Sequence, residues 1–226
     1  MNSHTRFQQE QTAKSYEAYY ETKYRKADVL EKKLITQLFA QFPNAKNVLE
    51  VGCGTGHFTG WLESSLALEA MGVDTSGAML QEAKNFWPQV TLAQVEGSRL
   101  PFKDKSVDVV FFMTSLEFIS DAVGALKEAS RVARVGINLG LMNKNSISTL
   151  KKRLKAATLS DSFYKHARFY SLSDIETMLE KILPEGHEIV FCSTTVFSKP
   201  FSSKESSVFP FGGILGIAVR LEGFDE

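Results

Sequence analysis

The stretch Asn47-Val48-Leu49-Glu50-Val51 followed by Gly52-Cys53-Gly54-Thr55-Gly56 constrains this chain more than any other. A short apolar run that ends in glycine at alternate positions reads as a buried strand opening into a loop. Glycine accepts backbone angles closed to other residues, and without a Cβ it lets the main chain come close to a ligand. In an open α/β sheet ligands lie at the carboxyl ends of the strands, so this loop is the expected place for one.

The rest of the chain supplies such a sheet. After the loop come a helix from about His57 to Leu66, a strand ending at Asp74, and a helix from Ser76 to Phe86. Strands near Val90 to Val95 and from Val107 to Phe112 follow, then a helix from Asp121 to Ala133 and a strand from Gly136 to Met142. A helix from Ser173 to Leu183 and β-prone runs from Glu188 to Val196 and Ile214 to Leu221 complete the pattern. Alternating strands and helices predict a Rossmann-like, doubly wound α/β fold, with a mainly parallel sheet and helices on both faces. No linker or repeat divides residues 1–226, which read as a single domain. Residues 1–42 form a helical N-terminal segment, 144–170 an insertion on the substrate side, and Ser198 to Ser207 a polar loop.

Composition sets limits on partners. Lys+Arg and Asp+Glu both number 26, so no global field draws the chain to nucleic acid or anionic lipid. The two cysteines, Cys53 and Cys192, match no metal or disulfide spacing, and no metal is expected. The polar N-terminus and the lack of a long apolar run predict a cytoplasmic protein that does not enter a membrane.

The glycine spacing is itself selective. A dinucleotide fingerprint needs its third glycine three residues after the second, where this chain has His57, and no GxxxxGK[ST] phosphate loop is present. That disfavours a nicotinamide oxidoreductase.

Together with Gly72-Val73-Asp74-Thr75-Ser76, Met79-Leu80, Gly97-Ser98-Arg99-Leu100-Pro101-Phe102 and Val107-Asp108-Val109-Val110, the loop resembles the class I S-adenosylmethionine-dependent methyltransferases of the small-molecule, type 11-like kind. The resemblance implies a seven-stranded sheet and S-adenosylmethionine as cofactor, left as S-adenosylhomocysteine. It implies that Gly52, Cys53, Gly54 and Gly56 lie against the methionyl and ribose parts, with Glu50 holding the loop and the ammonium group. Asp74 would accept from the ribose hydroxyls beside Thr75, and Met79 would pack on the adenine. A carboxylate at a strand end also serves as a turn or helix cap, and a methionine at helical spacing also serves as core. Gly97, Ser98 and Arg99 would face the adenine edge, where the family usually has an acid in place of Ser98. Met113 and Thr114 would complete the pocket.

Methyl transfer from a sulfonium chiefly needs alignment, because the cofactor carries the reactive group. Glu117, where many relatives carry histidine, is the candidate general base, and an ordinary helix-start glutamate is the alternative. Tyr16, Tyr20, Tyr164 and Arg168 are candidates on the substrate side. Tyr16, Tyr19, Tyr20 and Tyr24 stand at near-helical spacing, suited to a lid or to packing, and His57 reads as a helix-end residue. Residues 144–170 carry Lys144, Lys151, Lys152, Arg153, Lys155, Lys165 and Arg168 against Asp161, and Leu150 and Leu154 are spaced to bury one side of a helix there. The expected partner is a small molecule. An RNA methyltransferase and a binding module without turnover are the other readings, although no Asn/Asp-Pro-Pro-aromatic tetrapeptide is present.

Overall fold

The computed structural model describes residues 9–21, 24–158, 162, 164–183, 186–197, 206–207 and 210–221. Two helices come first, α1 (Glu10–Glu21) and α2 (Arg25–Phe39). Strand β1 (Asn47–Val51), α3 (His57–Leu66), β2 (Glu69–Asp74), α4 (Gly77–Phe86), β3 (Thr91–Gln94) and β4 (Val107–Met113) then alternate. A short 3-10 turn (Leu116–Phe118), α5 (Ala122–Val132), β5 (Ala133–Met142), α6 (Ile147–Thr158) and α7 (Leu172–Ile182) lead to β6 (His187–Thr195), β7 (Ser206–Ser207) and β8 (Ile214–Leu221).

The sheet order is β3-β2-β1-β4-β5-β8-β6-β7. Strands β1 to β5 pair in parallel, and β8 runs antiparallel to both β5 and β6. The fold is therefore the expected doubly wound α/β sheet. It has one strand more than seven, because Ser206–Ser207 pairs with the end of β6. The sequence places those two residues in a polar loop; residues 198–205 of that loop lie outside the described ones.

Strands in the middle of such a sheet are buried on both faces, and side chains alternate between them. Leu49, Val51, Val110 and Phe112 join one core, under Leu126 and Ala129 of α5 and Ile175 and Leu179 of α7. Val48, Val109, Phe111 and Met113 join the other, under Leu34, Leu38 and Phe39 of α2 and Leu62 of α3. Part of the N-terminal segment is thus core, since Leu34, Ile35 and Leu38 are fully buried.

Strand order reverses at β1, which lies between β2 on one side and β4 on the other. Chain leaving β1 and β4 turns to opposite faces at such a point, and a crevice opens beyond their carboxyl ends. The glycine loop leaves β1 at this crevice.

Candidate functional site

A cleft of about 970 Å³, counting its open mouth, lies there. Its walls include Glu50, Gly52, Cys53, Gly54, Asp74, Thr75, Met79, Gly97, Met113 and Thr114, with Tyr16 from α1 at the rim.

The three loop glycines all have left-handed backbone, with φ of 76° at Gly52, 55° at Gly54 and 73° at Gly56. They differ in what they face. A Cβ on Gly52 would lie 2.4 Å from Ser115 Cβ, and one on Gly56 would lie 3.3 Å from Ala83 Cβ, whereas one on Gly54 would meet nothing within 4 Å. Gly54 alone opens on free space, so it is the point where a ligand can reach the backbone. Gly56 caps α3, packs on α4 and, unlike Gly52 and Gly54, does not line the cleft.

Two backbone N–H groups fix the loop on the next strand: Gly52 and Cys53 both donate to Val73 O, at 2.7 and 3.0 Å. Gly54 N–H donates to Asp74 Oδ2 at 2.9 Å, and Ser76 N–H donates to Oδ1 at 2.8 Å. Asp74 therefore holds both the loop and the turn before α4, and its carboxylate still lines the cleft. Ser76 caps α4 by accepting from Met79 N–H at 3.1 Å.

Glu50 is 2% exposed and accepts from the Thr59 hydroxyl. Burial pushes its carboxyl up to about 8. Cys53 is buried, and burial together with the neighbouring Asp74 and Glu50 raises its thiol well above the usual range.

At the other end, Ser98 and Arg99 are not in the lining, while Glu96 and Gly97 are. Arg99 N–H closes a tight turn on Glu96 O at 2.9 Å, which leaves Arg99 exposed outside the cleft. Glu96, one position before the glycine, is the acid on this part of the cleft wall, and the sequence reading did not single it out.

Other liners were also missed. Ser115 donates its hydroxyl to Val51 O at 2.6 Å, tying the loop after β4 to β1. His57 Nε2 lies 2.7 Å from Asp28 Oδ1, and Lys32 Nζ lies 2.9 Å from the other oxygen of Asp28. His57 is more than a helix end, since it lines the cleft and links α2 to α3.

Glu117 stands one step behind the cleft wall, next to its liner Phe118. Its carboxyl is 1% exposed and accepts from Met142 N–H through Oε1, while Oε2 has no partner among the described residues. Burial raises it to about 7, against the smaller opposing effect of the backbone donors and Lys152. Lys152 Nζ lies 4.9 Å over the Tyr164 ring and is held below its usual range by burial. Tyr164 and Arg168 do not line the cleft. Tyr164 packs beside Phe169, and Arg168 N–H donates to Glu117 O at 2.9 Å. The side chains of Tyr19 and Tyr20 lie outside the described ones, as does Asp161.

No group of three or more His, Cys, Asp or Glu among the described residues is placed to share a metal ion. No described helix is long and apolar enough to cross a membrane.

The open face of Gly54, the acceptor Asp74 beside it and the apolar Met79 fit an adenosyl group joined to an amino acid. Fold and site together are those of the class I S-adenosylmethionine-dependent methyltransferases, with S-adenosylmethionine as the cofactor. Residues 49–138 match the family model described as a methyltransferase domain. An uncharacterized protein of Methanocaldococcus jannaschii is 28% identical over 81% of this chain and 84% of its own. Malonyl-[acyl-carrier protein] O-methyltransferase 1 of Coxiella burnetii is 33% identical, over 60% of this chain but only 45% of its own. Among solved structures, an S-adenosylmethionine-dependent methyltransferase of Thermotoga maritima superposes with a TM-score of 0.74 at 24% identity, covering 95% of this chain and 97% of that one. Magnesium protoporphyrin IX methyltransferase of Synechocystis, with bound S-adenosylhomocysteine, gives 0.62 at 16% identity over 86% and 83% of the two chains.

Proposed function

We propose that this chain methylates a small-molecule acceptor at an O–H or N–H group whose proton passes to Glu117. The observation that carries this reading is the unpartnered Oε2 of a carboxyl only 1% exposed, one residue from the cleft liner Phe118. The O-methyl transfer for which the Coxiella burnetii relative is named supports it.

The cofactor, once bound, supplies a methyl group on a positively charged sulfur. The protein's own part is placement. Gly54 brings backbone to the ligand, Asp74 and Thr75 take the ribose, and Met79 with Glu96 and Gly97 flank the base. Glu50 faces the ammonium group, whose charge draws the buried carboxyl toward its ionised form. Tyr16 and Phe118 shield the transfer point from water. A carboxyl held near 7 is half ionised at neutral pH, which suits a group that must accept a proton.

The test is a methyl-transfer screen with labelled cofactor over phenols, carboxylic acids and amines, read against Glu117→Gln. Product formed by the parent chain and reduced in turnover, with cofactor affinity unchanged, is the expected result. Equal turnover in the variant would remove Glu117 from the chemistry.

A further inference from the structure

Helix α6 does not lie as its sequence leads one to expect. Leu150 and Leu154, spaced to be buried, are 50% and 61% exposed, and Ile147 is 55% exposed. At 3.6 residues per turn these three form a single outward stripe. Thr149, the buried residue of the helix, lies on the opposite side, as does the half-buried Lys152 over Tyr164. By the same spacing Lys151 and Lys155 run along one edge of the stripe and Arg153 along the other, all three exposed. The helix contains no acidic residue, so this charge stands out from a chain whose net charge is zero.

An apolar ridge with cations on both edges has the shape of a helix lying in a lipid interface. Apolar side chains enter the acyl region there, and lysine and arginine reach up to phosphates. Nucleic acid would use the cations but leave Ile147, Leu150 and Leu154 in water. A protein partner would have to offer a groove for the ridge as well as acids on both sides of it. We propose that α6 is a docking surface for an anionic lipid bilayer, engaged reversibly and from outside. Its 12 residues fall well short of the roughly 20 that a span requires. The lack of a spanning helix among the described residues and the zero net charge bear on insertion and on long-range attraction, and a local patch of this kind escapes both. Docking would set the Glu117 side of the protein nearest the bilayer, since Lys152 joins that side to α6. The inference does not depend on which acceptor is methylated.

The experiment is sedimentation of the full chain with phosphatidylcholine vesicles and with vesicles of phosphatidylcholine and phosphatidylglycerol, at low and at physiological salt. Binding is expected only to the phosphatidylglycerol vesicles and weaker at higher salt. Lys151→Gln/Arg153→Gln/Lys155→Gln should lose roughly a hundredfold in affinity, and Leu150→Ser/Leu154→Ser at least about tenfold. Because these side chains are exposed, both variants should fold, which an unchanged melting temperature checks. Loss in the cation variant with none in the leucine variant would overturn the proposal and reduce the patch to charge adsorption. No vesicle binding at all would also overturn it and leave the ridge to a protein partner.

Discussion

Gly54 N–H donates to the Asp74 carboxylate at 2.9 Å, joining the loop after β1 to the end of β2 across the mouth of the cleft. One residue thus both shapes the glycine loop and presents an acceptor to whatever lies over it. Asp74→Ala should lower S-adenosylhomocysteine affinity about 10- to 100-fold, the size of a lost hydrogen bond to a charged group. Titration calorimetry measures it, with thermal melts of the ligand-free protein as the control for folding. Unchanged affinity in a folded variant would remove Asp74 from the cofactor site.

Glu117 gives a pH signature. With its carboxyl near 7 through burial, the ionised fraction rises as pH goes from 6 to 8, and kcat/KM for the acceptor should rise with it and level off above. In Glu117→Gln that inflection should vanish while the KM for the cofactor stays put. A variant that keeps the same profile would place the ionisation elsewhere, and His57, held 2.7 Å from Asp28 on the cleft wall, would be the next to replace.

The alternation of strands and helices and the glycine loop were legible in the sequence because each is local. Period, punctuation and spacing lie within a few residues of one another. Glu96 escaped because a turn of four residues decides which side of Gly97 faces the cleft, and spacing alone does not show it. Leu154 is spaced to be buried and stands 61% exposed, while Lys152 of the same basic run is half-buried over Tyr164. Amphipathic spacing gives a helix two sides without saying which side meets the protein. Asp28 and His57 are 29 positions apart, and only the packing of α2 on α3 joins them.

Glu50 should make the ligand-free fold less stable as pH rises. Its folded value of about 8 lies above the ordinary carboxylate value of 4.5, so the native state keeps a proton that the unfolded chain gives up. The contribution to stability is complete below about 4.5 and is lost as pH climbs toward 8. Glu50→Gln never ionises and can still accept from Thr59. Its melting temperature should match the parent at pH 5 and exceed it at pH 8.5 by on the order of 5 °C. A constant difference across that range would show that Glu50 does not titrate in the folded protein.

Asn138 is fully buried in β5, opposite Phe111 of β4 and Ala218 of β8, and neither its side-chain oxygen nor its nitrogen has a partner among the described residues. Each buried and unbonded polar group costs roughly 1–3 kcal/mol. Valine removes both polar atoms, nearly fills the same space and suits a central strand. Asn138→Val should therefore raise the melting temperature by about 3–8 °C in a chain of this size, measured by calorimetry without ligand. The cofactor affinity should not change, because Asn138 points into the core beneath α2 and not into the cleft. A lower melting temperature would mean that the amide is hydrogen-bonded in the folded protein, and the core under α2 would then hold a polar contact that stabilises it.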